Sequence, residues 1–221
     1  MGFGRKDSDM ADMYGQIQER SVGRGADGGH AMQRMLSGGE AIVEERLLAL
    51  GIEGKLFGAH FGTVTTPLVT AATTAIVATS PQVWIRVPDG TLIIPLSAEL
   101  VVEATGITTQ GEISIATAKN DVGNGTSAAG TSGPINLNTA ETGVGNCTAR
   151  QLATAAVTAE TSLLELKRFS FAVSAVNQEF AWRAANNRVY PILRGPASWL
   201  IYIGGNAVNF FAQLVWAELP E

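Results

Sequence analysis

One cysteine and two histidines in 221 residues leave little of the usual catalytic and metal-binding chemistry. With Cys147 alone, neither an intrachain disulfide nor a cysteine-based zinc cluster can form. His30 and His60 stand far apart in the chain, with no carboxylate pair beside either, so both read as structural histidines and no metal site is expected. No Gly-x-Ser-x-Gly elbow occurs. Cys147, in GVGNCTAR, has only Arg150 near it in sequence to lower its pKa. DVGNGTSAAG lacks the lysine and the following amphipathic helix of a phosphate-cradling loop. Asp89, Asp121 and the nearby asparagines have no calcium-loop spacing. The expectation is a protein that is not an enzyme and carries no cofactor.

Charge is also scarce. Charged residues make up 16% of the chain and the net charge is −5, so there is no basic field to collect nucleic acid. Apolar residues make up 46%, enough for a large core but leaving little charge for a fully solvated surface. Partners are expected to cover part of it. The first residues, MGFGRKDSDMADMY, contain no apolar stretch of signal-peptide type, which points to a protein made and kept in a cytoplasm.

Composition divides the chain near Leu56. Residues 1–56 hold all five methionines and no tryptophan, whereas residues 57–221 hold all four tryptophans and all eight prolines. Such a shift marks a domain boundary. The first 36 residues are Gly-, Asp- and Arg-rich and cannot build a core alone. One short helix is predicted over about 38–50. Ser37 and Glu40 have capping-box spacing, Val43, Leu47 and Leu50 share a face, and Gly51 is placed to stop it. The region reads as an extended arm that orders on assembly. Met10, Met13, Met32, Met35, Val43, Leu47 and Leu50 are its candidate contact residues.

From Phe57 onward the pattern is strand after strand. VWIRV leads into the turn Pro88-Asp89-Gly90 and then TLII, with a strand end or bulge expected at Pro95. Ala98, Leu100, Val102 and Ala104 alternate with Glu99, Val101 and Glu103. Glu99 and Glu103 therefore read as a solvated face and not as a glycosidase pair. Ile113 and Ile115 point inward on the next strand. A long strand over 162–176 is predicted to align Leu163, Phe169, Phe171 and Val173 on one face, and 188–193 is a further candidate. Residues 119–160, without an aromatic, read as a long exposed loop. Trp182 and Tyr190 are expected to pack in a core or an interface.

Residues 199–217 contain no charge. A membrane span is excluded by Gly204-Gly205-Asn206 in the middle and by Asn209 and Gln213, which would lack partners in lipid. Two strands around a Gly-Gly-Asn turn, a closing hairpin, fit better. Val208, Phe210, Ala212, Leu214 and Trp216 then line one face. Strand alternation sends Phe210 and Phe211 to opposite faces, so one of them packs outside the local core. Seven to nine strands with turn signals between them predict an all-β jelly-roll or β-sandwich domain over 57–221, preceded by the arm 1–56.

GPASWLIYIGGNAVNFFAQLVWAELPE resembles the closing hairpin of jelly-roll structural proteins of tailed bacteriophages. VWIRVPDGTLIIPLSAELVVEATG is similar to the same group. The resemblance covers roughly 57–221 and rests on structural motifs. It implies a virion component assembled in the host bacterial cytoplasm. The expected role is a capsid cement or decoration protein that forms homotrimers and contacts the major capsid protein. Trp199, Phe210, Phe211 and Trp216 are the candidate core or trimer contacts. The alternatives are a receptor-binding or fibre-tip module using the 119–160 stretch and, less supported, a polysaccharide-degrading enzyme. Neither a nucleic-acid nor a membrane partner is expected.

Overall fold

The computed structural model describes residues 46–70, 75–105, 111–124, 128–129, 132–152, 163–171, 177–187, 190–205 and 208–220. The described part of the first helix, α1, is Arg46–Ile52. The predicted stop at Gly51 is corrected by three residues. Gly54, at φ +66°, is the left-handed residue after the helix. Its N–H donates to the Gly51 carbonyl (3.1 Å) and that of Lys55 to the Leu50 carbonyl (2.8 Å). That pair of bonds is a Schellman cap, and glycine tolerates its backbone without strain. Gly51 lies inside the last turn, where helical φ and ψ are met and no glycine is required. Met10, Met13, Met32, Met35 and Val43 lie outside the described residues.

Thirteen strands follow among the described residues: β1 (Leu56–Phe61), β2 (Leu68–Val69), β3 (Val83–Val87), β4 (Thr91–Thr105), β5 (Gly111–Ala118), β6 (Ala128–Ala129), β7 (Ser132–Asn136), β8 (Thr148–Gln151), β9 (Leu164–Phe171), β10 (Gln178–Arg183), β11 (Leu193–Arg194), β12 (Ala197–Gly204) and β13 (Val208–Pro220). A single helical turn, α2 (Ala184–Asn187), separates β10 and β11. The strands form two antiparallel sheets. One runs β10-β4-β13-β1-β7, with β11 beside β4 and β2 beside β13. The other runs β6-β8-β3-β12-β5-β9. The eight principal strands pair in a nest: β1 with β13, β3 with β12, β4 with β10, and β5 with β9. A long hairpin rolled over on itself gives this order, and it is the winding of a jelly roll.

Alternation explains the core. Ala98, Leu100 and Val102 of β4 face Phe210, Ala212 and Leu214 of β13 on the inner side of the first sheet, and all are buried. Trp199, Ile201 and Ile203 of β12 and Ile113 and Ile115 of β5 meet them from the second sheet. Trp182 and Trp199 touch edge to face, with centroids 6.1 Å apart, a favoured aromatic geometry. The expected bulge at Pro95 is present. Leu96 is the extra residue, since Val215 pairs with Ser97 and Trp216 with Pro95.

Several expectations change. The closing strands exist but do not form a hairpin. β12 belongs to the second sheet and β13 to the first, and Gly205, at φ +139°, lies where the chain crosses between them. The 119–160 stretch contains β6, β7 and β8, so it is not one open loop. His60 lies within β1. Of the 188–193 candidate, only Leu193 is in a strand among the described residues. In β9 a bulge opposite Ile115 and Ala116 inverts the alternation. Leu166, Phe169 and Phe171 therefore pack in the main core, while Leu163 packs on the opposite face of the sheet. Val173 lies outside the described residues.

Candidate interaction surface

The outer faces of the two sheets differ. On the second sheet, Trp84, Ala116, Ala118, Leu200 and Tyr202 point outward and are buried, because the chain's own segments cover them. Val122, Ile76 and Leu163 provide the apolar cover. The 119–124 loop is tied down by polar contacts. Arg86 pairs with Asp121, donating from Nε at 2.7 Å and also from Nη2. Arg86 Nη1 donates to Oδ1 of Asn124. Trp84 Nε1 donates to the Gly123 carbonyl (3.2 Å), and the Val122 N–H to Ser198 Oγ (3.1 Å). Burial alone would raise the Asp121 pKa. Hydrogen bonds from the Arg86 guanidinium and the Gly123 N–H outweigh it and hold the carboxyl below its usual range.

The first sheet's outer face has less cover from the described segments. Its register sets out three rows. Phe211 lies beside Val101, and Val101 beside Glu179. Next come His60, Gln213, Glu99 and Ala181. The third is Gly58, Val215, Ser97 and Arg183. Arg183 donates to Glu99 at 2.6 Å, an exposed ion pair that contributes little to stability. Val69, beside Asn209, is 49% exposed and Val101 is 37% exposed. Phe211 is half-buried and leans over Gly62. A Cβ on Gly62 would meet its ring at 2.7 Å. Leu137 similarly lies over Gly58. The result, among the described residues, is an apolar stripe of Val69, Phe211 and Val101 beside a polar row.

The remaining sequence candidates separate. Trp199, Phe210 and Trp216 are fully buried in the sandwich, whereas Phe211 is the residue sent to the outer face. Leu50 is buried, and Leu47 is exposed. Tyr190 is exposed, and Trp182 is core. Cys147 is buried, and burial together with the nearby Glu218 carboxylate raises its pKa far above the thiol range, so no thiolate nucleophile exists there at neutral pH. Glu218 itself is buried, accepting from the Asn146 N–H (2.5 Å) and Trp216 Nε1 (3.3 Å). Among the described residues, no group of three or more His, Cys, Asp or Glu could hold a metal ion. No described helix is long and apolar enough to cross a membrane.

Sequence reasoning missed the Arg86–Asp121–Asn124 latch and buried Glu218. The available signal for the first was Arg86 itself, the single charge in an otherwise apolar strand. Comparison with protein-family models finds no match, and no curated protein matches the chain.

Proposed function

We propose that this chain is a structural subunit of a tailed-phage virion, a cement or decoration protein of the head. It assembles as a homotrimer and binds the major capsid protein. The observation that carries this reading is the contrast between the two sheet faces. One is sealed by the chain's own loops, and the other, among the described residues, leaves Val69 and Val101 exposed and Phe211 half-buried beside the Glu99–Arg183 row. An uncovered apolar stripe is characteristic of association surfaces. The jelly-roll fold and the resemblance of the closing strands supply the class of assembly. The mechanism is mechanical: area buried between capsid subunits resists pressure from packaged DNA. Stability is then gained by assembly.

The test combines light scattering on the purified protein with co-sedimentation on empty capsids. A trimer that pellets at a saturating ratio is expected. A trimer that stays in the supernatant, or a monomer, overturns the proposal. Val101→Asp is expected to leave the fold intact and weaken association roughly tenfold or more, the equivalent of about 1.4 kcal/mol. Deleting residues 1–36 is expected to leave the oligomer folded and abolish capsid binding.

A receptor-binding or fibre-tip module is the second reading. It is favoured by the exposed Thr139, Thr142 and Val144, the last 83% exposed, in the stretch between β7 and β8. Adsorption of the labelled protein to host cells, without capsid binding, would select it.

A further inference from the structure

We propose that Arg150 is the binding site for an external carboxylate. β8 pairs with β3, and the register sets Arg150 beside Trp84 and Thr148 beside Arg86 on the outer face of the second sheet. Ala149, between Thr148 and Arg150, points the other way, into the core. Both arginines therefore rise from one patch, but their surroundings differ. Arg86 offers one edge of its guanidinium, Nε and Nη2, to the two oxygens of Asp121. Arg150 has the same edge. Its side chain is half-buried, and its Nε is buried without a hydrogen-bond partner. Among the described residues, ion pairs are made by Arg86, Arg168 and Arg183, and no carboxylate pairs with Arg150.

Arginine does not deprotonate in proteins, so the Arg150 charge stays. A buried N–H without an acceptor has given up its water and gained nothing in return. With the neighbouring Nη it forms the fork that takes a planar carboxylate through two parallel bonds. Asp121 on Arg86 shows that fork filled, one diagonal away on the same face. Charge selects the ligand further. Asp121 already balances Arg86, so among the described residues the patch carries one uncompensated positive charge, that of Arg150. One carboxylate cancels it. A phosphate group, at about −1.5 to −2, would leave negative charge in excess at a half-buried place. Trp84 is fully buried beside Arg150 and gives the site a wall of low polarity, where a charge-assisted bond is stronger than in water. The acid is either a free small molecule or an acidic side chain of another chain, and the fork treats the two alike. The site belongs to the sheet opposite the Val69, Val101 and Phe211 stripe, and stands whether or not that stripe docks on a capsid.

The experiment uses the full chain and follows the Nε–H resonance of each arginine by heteronuclear NMR. Acetate is the probe, and chloride at equal ionic strength is the control. Acetate is expected to move the Arg150 resonance to a plateau and to slow exchange of its proton with water, while Arg86, whose fork is filled, stays still. Arg150→Lys keeps the charge and loses the fork. It is expected to weaken acetate binding by about tenfold or more, the loss of one charge-assisted hydrogen bond. Dilution separates the sources. An Arg150 resonance that sits at the plateau without acetate, and leaves it as the protein is diluted, supports the proposal with a second copy as the source. One that responds to acetate at every protein concentration supports it with an acid from a different molecule. No shift with acetate, or the same shift with chloride, means that the buried Nε has no ligand, and overturns the proposal. The comparison of Arg150 with Arg86 needs no variant to fold.

Discussion

Tyr202 shows how one side chain serves both a strand and its cover. It sits on the outer face of β12 and donates its hydroxyl to the Ala78 carbonyl at 3.1 Å, anchoring the 75–80 segment. Burial pushes its phenol up to about 12. The raised value means that the folded state favours the neutral phenol. This stabilisation is complete below the ordinary tyrosine pKa of about 10 and is lost as pH rises through the folded value. Tyr202→Phe is expected to cost about 1 kcal/mol in urea unfolding at neutral pH and to abolish the part of alkaline unfolding that lies in this window. Gly62 is a second single-residue test. Its φ of +90° and the Phe211 ring above it leave no room for a Cβ. Gly62→Ala is expected to destabilise by about 1–3 kcal/mol, the range for a strained backbone position. The same variant should weaken association if the Phe211 stripe is the docking surface.

The elements were legible where one face of a strand meets water. β4 follows from alternation because its inner positions Ala98, Leu100 and Val102 are apolar and several outer ones are not, as with Glu99 and Glu103. β12 is different. Every one of its eight residues is buried, Trp199 and Ile201 by the main core, Leu200 and Tyr202 by the covering loops. A strand covered on both faces shows no alternation, so its sequence does not say which sheet it joins. Gly204-Gly205-Asn206 carries turn chemistry that serves a crossing between sheets as well as a hairpin. β7 and β8 were hidden for another reason. With Gly, Thr and Asn and no aromatic, their pairing comes from β1 and β3 and not from their own propensity. The outer face of the first sheet was half-legible, since alternation put Phe210 and Phe211 on opposite faces without saying which of the two points outward. The Asp121 latch depends on a contact across 35 residues, which no local pattern reveals. Its consequence is measurable. A lowered carboxyl pKa gives stability that is full above the ordinary aspartate range, near 3.9, and is lost as pH falls through the folded value. Trp84 reports on this loop, so its fluorescence is expected to change in that acid window, and Asp121→Asn should remove the change. Gly54→Ala, at the Schellman cap, is expected to cost about 1 kcal/mol by thermal unfolding.

At the scale of the molecule, the nested pairing dominates. β1 closes on β13, and β3 on β12, so most sheet contacts join distant parts of the chain. Such topologies fold in milliseconds to seconds. Stopped-flow refolding is expected to fall in that range, and microsecond folding would contradict the pairing. The pairing also has a consequence during synthesis. β1 leaves the ribosome with its inner residues Phe57, Ala59 and Phe61 ready for burial, but its partner strand is encoded roughly 150 residues later. At about 5–20 residues per second, translation keeps that sticky edge waiting for on the order of ten seconds. During that interval each nascent chain on a polysome carries an open strand that can pair with its neighbour's. Dense expression should therefore favour inclusion bodies, and slower initiation or added nascent-chain chaperones should raise the soluble yield.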